Sequence, residues 1–237
     1  MELAQKSIGK TWNKILDIIF PPKCVNCQCL IHNQKEFLCP QCFDLIRLNS
    51  SLYCPVCMSR LGERSTICHH SPYILAPSTF FMPPIPALIH HFKYSLLEDI
   101  NTLLSAFLIA YLKKIDIPLE KYEITFIPLH KSKERSRGFN QSRLLADSIA
   151  SYFSLQTKDY LARIQNTPSQ TAQEGFFKRF INVKECFKVI SPDLIKGKNF
   201  IIVDDVSTSG ATLLSASLEL KKHGAKKIIG LVVAKAA

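Results

Sequence analysis

Several common signatures are missing from this chain of 237 residues, and each absence removes a class of function. No GxxxxGK[ST] stretch occurs, which excludes a Walker-type nucleotide loop, and no GxGxxG occurs, which removes the dinucleotide-binding fingerprint. No apolar run is long enough to span a bilayer: the longest, Leu103 to Leu112, is about half of the ~20 residues required, and it reads as a buried helix. No secretory signal is readable at the start, because the apolar stretch near Ile15 to Phe20 is short, follows Lys14 and lacks a small-residue cleavage site. The expected setting is therefore cytoplasmic. Acidic residues are also scarce, with nineteen Asp and Glu against thirty Lys and Arg and a formal charge of +11. That balance favours polyanionic partners: nucleic acid, phosphorylated metabolites or an acidic membrane face.

What the chain does have begins with cysteine. Eight of the nine cysteines fall between Cys24 and Cys68, and six form three CxxC pairs, CVNC, CPQC and CPVC. Cys24 and Cys27 are separated from Cys39 and Cys42 by eleven residues, a spacing that suits a zinc ribbon in which two short turns aim four thiolates at one Zn²⁺. In a reducing cytosol metal is favoured over disulfides. The third pair, Cys54 and Cys57, could be completed by Cys68 and either His69 or His70 as a second zinc site. The equal eleven-residue gap from Cys42 to Cys54 also leaves pairing with either earlier knuckle open. Cys29 and Cys186 read as ordinary thiols. All ligands come from within the small module, so a structural role is expected. Ahead of it, Ile8, Trp12, Ile15, Leu16 and Ile19 share one helical face. That amphipathic helix either docks on the protein's own body or lies on a membrane surface, here the inner face.

The remaining chain alternates strand and helix patterns, which predicts an α/β fold with a parallel sheet. APSTFFMPPIP reads as a strand and a proline-marked turn, and the stretch from ALIHHFKYS to Lys114 as two helices. YEITFIPLH gives a strand ending at Pro128, followed by the cationic loop KSKERSRG and a helix from about Asn140 to Phe153. Phe200 to Val203 is a short apolar run of the kind covered on both faces, then a helical pattern carries Leu213, Leu214, Ala216, Leu218 and Leu220 to His223-Gly224, and a second strand spans Lys227 to Val233. Ligands of open parallel sheets bind at the carboxyl ends of the strands, and two such ends are chemically equipped.

One of these is Asp204-Asp205 followed by Ser207, Thr208, Ser209, Gly210 and Thr212. Hydroxyls and free N–H groups ahead of a helix start suit a phosphate, and Gly210 lets the backbone approach it. The two carboxylates would repel that phosphate if they lay beside it. They should instead accept hydrogen bonds from neutral hydroxyls or bind Mg²⁺. A sugar with both a phosphate and a vicinal diol satisfies both halves. A capped helix alone would explain one hydroxyl, not two carboxylates and four hydroxyls.

The stretch FIIVDDVSTSGAT resembles the phosphoribosyl pyrophosphate signature of type I phosphoribosyltransferases. The set CVNC, CPQC, CPVC, IHHFKY, IPLHKSKERSRGFNQS, TPSQTAQEGFFKRFINVKECF and IIVDDVSTSGATL is similar in order and spacing to the ComF family of competence proteins, over nearly the whole chain. The resemblance implies a type I phosphoribosyltransferase-like domain over residues 72–237, a zinc-binding module over 23–71, and the amphipathic helix over 1–22. It implies that Asp204 and Asp205 hold ribose, that Ser207 to Thr212 cradle its 5′-phosphate, and that Leu129, His130 and Lys131 mark the pyrophosphate loop. Lys131, Lys133, Arg135 and Arg137 could serve pyrophosphate with Mg²⁺ or grip a DNA backbone. Where the family often has a last CxxC, this chain reads Cys68-His69-His70-Ser71. Three functions follow: handling of single-stranded DNA during natural transformation, with Phe92, Tyr94 or Phe139 as stacking candidates; an Mg²⁺-dependent phosphoribosyltransferase of unknown acceptor; or an idle phosphoribosyl pyrophosphate sensor. A DNA-uptake helicase or inner-membrane DNA channel is the partner implied by the resemblance.

Overall fold

The computed structural model describes residues 21–31, 36–62, 68, 70–94, 98–165 and 186–236. The amino-terminal amphipathic helix, His69 and most of the TPSQTAQEGFFKRFINVKECF block lie outside the described residues.

The apolar runs identified in the sequence form a mostly parallel sheet. Its strands are β1 (Leu52–Tyr53), β2 (Arg60–Leu61), β3 (Ile74–Phe80), β4 (Tyr122–Phe126), β7 (Asn199–Ser207) and β8 (Lys227–Lys235), in the order β2-β1-β3-β8-β7-β4. β3, β8, β7 and β4 run parallel, with Ile201 of β7 opposite both Ile229 of β8 and Ile124 of β4. β1 joins antiparallel through Tyr53 opposite Leu75, so the cysteine-rich segment extends the main sheet. A separate two-stranded sheet, β5 (Leu161–Arg163) with β6 (Phe187–Val189), was not anticipated from the sequence, because three-residue strands are too short to show a period.

Helices cover both faces, which is why the central runs Phe200 to Val203 of β7 and Ile228 to Ala234 of β8 are apolar. On one face lie α2 (Ile85–Tyr94), α3 (Glu98–Ile115) and α5 (Gln141–Tyr152). Leu88, Phe92, Leu104, Leu108, Leu145 and Ile149 pack there against Ile201, Val203, Leu231 and Val233. On the other face α6 (Ala211–Lys222) buries Leu213, Ala216 and Leu220 against Phe200, Ile202 and Val232, together with Leu161 and Phe187 of the small sheet. The cysteine module, with its one-turn helix α1 (Pro40–Phe43), shares the first core. Tyr111 on α3 donates its hydroxyl to the Ser51 carbonyl at 2.7 Å, tying module to helix.

The cationic stretch expected to be a loop is instead a short helix, α4 (Lys131–Arg137). Its ends explain the difference. His130 caps the start, accepting from the Ser132 N–H at 3.3 Å, and Gly138 ends it at φ +82°, returning its N–H to the Glu134 carbonyl.

Candidate functional site

The carboxyl ends of β4 and β7 lie side by side, and one side chain joins them. Asn140 accepts from the N–H groups of Ser142 and Arg143, capping α5, while its Nδ2 donates to the Ile127 carbonyl just past β4 at 3.1 Å. That cap fixes the first turn of α5 over the end of β7. Ser142 therefore reaches Asp204, donating its hydroxyl to Oδ1 at 2.8 Å, and the same oxygen accepts from the Asp205 N–H at 2.9 Å.

The acidic pair is not symmetric. Asp204 is buried, and burial with the adjacent Asp205 charge pushes its carboxyl up to about 7, against the opposing pull of Ser142, the Asp205 N–H and Lys93. Asp205 is half-buried and faces Lys93, whose Nζ lies 2.8 Å from Oδ2. Burial favours the neutral amine at Lys93, but the Asp205 carboxylate outweighs it and raises the ammonium's pKa. Gln141, itself buried, donates to the Lys93 carbonyl at 3.5 Å and accepts from Arg137 Nη1 at 3.2 Å. Arg137, Lys133 and Arg163 form a cationic group beside the pair. Burial lowers Lys133, helped by the charges of Arg163 and Arg137, and burial likewise lowers Arg163 against the opposing carboxylate of Asp204.

Beyond β7 the chain turns sharply. Gly210 sits at φ +77° immediately before α6, and a Cβ there would meet Tyr73 Oη at 2.9 Å. Ser207 is buried, and its hydroxyl has no hydrogen-bond partner among the described residues. Ser209 Oγ accepts from the Ala211 N–H at 3.4 Å, Thr212 is half-buried and Thr208 is exposed. Lys235 at the end of β8 donates to the Thr208 carbonyl at 2.8 Å and so braces the turn.

Of the residues expected here, Asp204, Asp205, Ser207, Ser209, Gly210, Thr212 and Arg137 lie at these strand ends, as do Leu129 and the helix-capping His130. Lys131 and Arg135 are exposed on α4. Two of the three aromatic stacking candidates are not available to a ligand in the way expected: Phe92 is core and Phe139 packs against it with ring centroids 6.3 Å apart, whereas Tyr94 is 71% exposed. Sequence reasoning did not single out Lys93, Ser142, Arg163, Tyr73 or Lys235. Lys93 and Ser142 sit inside two of the quoted motifs, IHHFKY and RGFNQS, but the partner of Ser142 is 62 residues away and invisible to local pattern.

The cysteines form two groups. The sulfurs of Cys24, Cys27, Cys39 and Cys42 all lie within 4.8 Å of one another, a donor set that fits tetrahedral zinc. Asn26 Nδ2 donates to Cys42 Sγ at 3.2 Å. Cys29, read as an ordinary thiol, has its sulfur 3.3 Å from that of Cys27. The second group joins Cys54, Cys57 and His70 within the same limit, with Cys68 in contact with the Cys54 thiol. Among the described residues the third knuckle thus groups with His70 and Cys68 and not with either earlier knuckle, while His69 lies outside them. Cys186 lies apart, buried against the small sheet.

Comparison with known proteins agrees with this arrangement. A family described as double zinc ribbon domain matches residues 15–71, and one described as phosphoribosyl transferase domain matches residues 140–237. The DNA utilization protein YhgH of Escherichia coli K12 is 28% identical over 196 residues, 81% of each chain. Competence protein F of Haemophilus influenzae is 26% identical over 87% of this chain and 93% of its own. Competence protein ComFC of Bacillus subtilis is 31% identical over 54% of this chain and 49% of its own. A double zinc ribbon match ahead of a phosphoribosyl transferase domain match, together with relatives named competence proteins, makes this chain similar to the ComF family of competence proteins.

Proposed function

We propose that this chain is a competence-associated protein that handles single-stranded DNA during uptake, and that residues 204–212 hold a 5-phosphorylated pentose of the phosphoribosyl pyrophosphate type. The observation that carries the reading is the buried Ser207 hydroxyl, without a hydrogen-bond partner among the described residues, beside a left-handed Gly210 at the start of α6. A buried hydroxyl without a partner is costly, and an anion at the helix start would accept from it and from the free N–H groups of the first turn. Asp204 and Asp205 would then take the sugar hydroxyls. The loop at Leu129, His130 and Lys131, with Lys133 and Arg137 beside it, is the proposed seat of a pyrophosphate.

Mg²⁺ fits the donor chemistry of the site: it would be held by Asp204 and Asp205 together with the ligand's oxygens. When bound it offsets the charge on a departing pyrophosphate. The cations Lys133, Arg137 and Arg163 beside the acidic pair favour a second reading, an Mg²⁺-dependent phosphoribosyltransferase whose acceptor is unidentified, because such groups stabilise a leaving anion. For DNA, the support is the excess of thirty basic over nineteen acidic residues and the exposed Lys131 and Arg135. A cytoplasmic location, at or near the inner membrane face and beside a DNA-uptake helicase or channel, belongs to the same proposal. No helix among the described residues is long and apolar enough to cross a membrane.

The test is a titration of zinc-loaded protein with phosphoribosyl pyrophosphate and Mg²⁺, beside labelled single-stranded DNA at two salt concentrations, with released pyrophosphate measured in the same samples. DNA binding that weakens steeply with salt, and sugar-phosphate binding abolished by replacing Asp204 and Asp205 together with Ala, are the expected results. Salt-insensitive or absent DNA binding would reject the DNA reading; unchanged ligand affinity in the double variant would reject the assignment of the loop. Pyrophosphate release that needs both aspartates would establish the enzyme.

A further inference from the structure

Two adjacent carboxylates repel any phosphorylated ligand brought within a few ångströms, and a divalent cation is the usual remedy. This site carries a different positive charge. Lys93, in the last turn of α2, places its ammonium 2.8 Å from Asp205 Oδ2, with the two side chains 29% and 13% exposed. A mobile surface pair of this kind would contribute little, but this one is held at both ends. The Lys93 backbone is tethered by buried Gln141, which is itself braced by Arg137. Asp205 is oriented by the Val206 N–H, which donates to Oδ1 at 2.7 Å, leaving Oδ2 to the ammonium. Asp204 Oδ1 is likewise committed to Ser142 and to the Asp205 N–H. The ammonium thus occupies the oxygen of Asp205 that the Val206 N–H leaves over, so a metal reaching Asp205 must compete with it.

We propose that Lys93 is the site's own counter-cation: it neutralises Asp205 so that a pentose 5-monophosphate is accepted without a divalent ion, and it competes with Mg²⁺ for Asp205. This rests on the sugar-phosphate reading above and narrows its ligand class. A monophosphate brings no pyrophosphate to chelate a metal, so the protein must supply the compensating charge itself. Lys93 is a binding-site residue in this account, since its charge faces the ligand's carboxylate partners.

The experiment uses the full zinc-loaded chain and two probes, Mn²⁺ followed by electron paramagnetic resonance and ribose 5-phosphate followed by calorimetry with and without Mg²⁺. The wild type should bind ribose 5-phosphate equally well in both conditions and Mn²⁺ weakly. Lys93→Met should bind Mn²⁺ about tenfold more tightly, lose that gain when Asp205→Asn is added, and bind ribose 5-phosphate only with Mg²⁺. Lys93→Arg keeps the charge and should resemble the wild type, which separates charge from any effect on folding. Equal Mn²⁺ affinity in the wild type and Lys93→Met, or an equal gain in Lys93→Arg, would overturn the proposal. If Lys93→Met gains Mn²⁺ affinity while no form binds ribose 5-phosphate, the competition with metal stands and the sugar-phosphate reading falls.

Discussion

Gly210→Ala tests the geometry of the proposed phosphate turn most directly. At φ +77° an L-residue costs about 1–2 kcal/mol relative to glycine. The added Cβ would also lie 2.9 Å from Tyr73 Oη, and Tyr73 is only 2% exposed, so its ring cannot swing aside into solvent. Overpacking at such a position typically costs about 1–3 kcal/mol. The sum, about 2–5 kcal/mol, corresponds in a chain of this size to a Tm lower by roughly 4–20 °C. The second contribution belongs to one atom. Tyr73→Phe removes that hydroxyl and keeps the ring, so in its background Gly210→Ala should cost only the backbone strain, and the difference is the coupling read from a double-mutant cycle. Thermal melts of the four proteins at fixed zinc, with ribose 5-phosphate titrations beside them, supply the numbers. Gly210→Ala melting within about 1 °C of the wild type would refute the left-handed turn. An equal cost in both backgrounds would refute the Tyr73 contact.

Asp204 gives a pH prediction. Its folded carboxyl is raised from 3.8 to about 7, so its protonated form contributes stability that is fully present below the unfolded value and lost as pH rises through the folded one. Denaturant unfolding between about pH 5 and pH 8 should show wild-type stability falling relative to Asp204→Asn, and parallel profiles would contradict the raised carboxyl. The metal clusters give another. Cys24→Ser should lose the zinc of the first cluster only and Cys54→Ser that of the second only, while Cys29→Ser keeps both, as elemental analysis would register. Cys54→Ser should in addition weaken ribose 5-phosphate binding, and Cys24→Ser should not; the same effect from both would deny any specific link between the second cluster and the phosphate turn.

Much of this fold is legible in the sequence because its strands and helices are locally consistent. FIIV and KIIGLVV read as strands buried on both faces, though β7 runs on to Ser207 and β8 to Lys235, and the Asn140 cap places α5 to within a residue at each end. The acidic pair and the glycine turn are legible for the same reason, since their chemistry sits within one short stretch. What the sequence hides is pairing at a distance. Nothing local to Lys93 marks it as the partner of Asp205, and an ordinary amphipathic helix would place a lysine there on a solvated face. Arg163 is hidden differently: it lies on a three-residue strand that has no pattern of its own. α4 was hidden because KSKERSR has no apolar face, and its helicity comes from His130 and Gly138 at its ends.

The second metal cluster and the phosphate turn are joined through a single residue. Cys68 and His70 lie just before Tyr73, which leads directly into β3, so ligation at those positions fixes the entry of the strand. Tyr73 then passes over Gly230 of β8 to lie against Gly210, its hydroxyl 3.5 Å from the Gly210 carbonyl. On its other side the strand pair β1 and β3, through Tyr53 opposite Leu75, ties the Cys54 knuckle to the same sheet. Gly210 has no side chain to cap α6, and beside the Ser209 hydroxyl within it the turn is held by Tyr73 on one flank and Lys235 on the other. A zinc ribbon that only stabilised its own loops would not need to place a buried tyrosine against the glycine of a phosphate turn. Zinc held at the second cluster would order a segment whose last residue lies against Gly210, at the floor of the proposed ligand site.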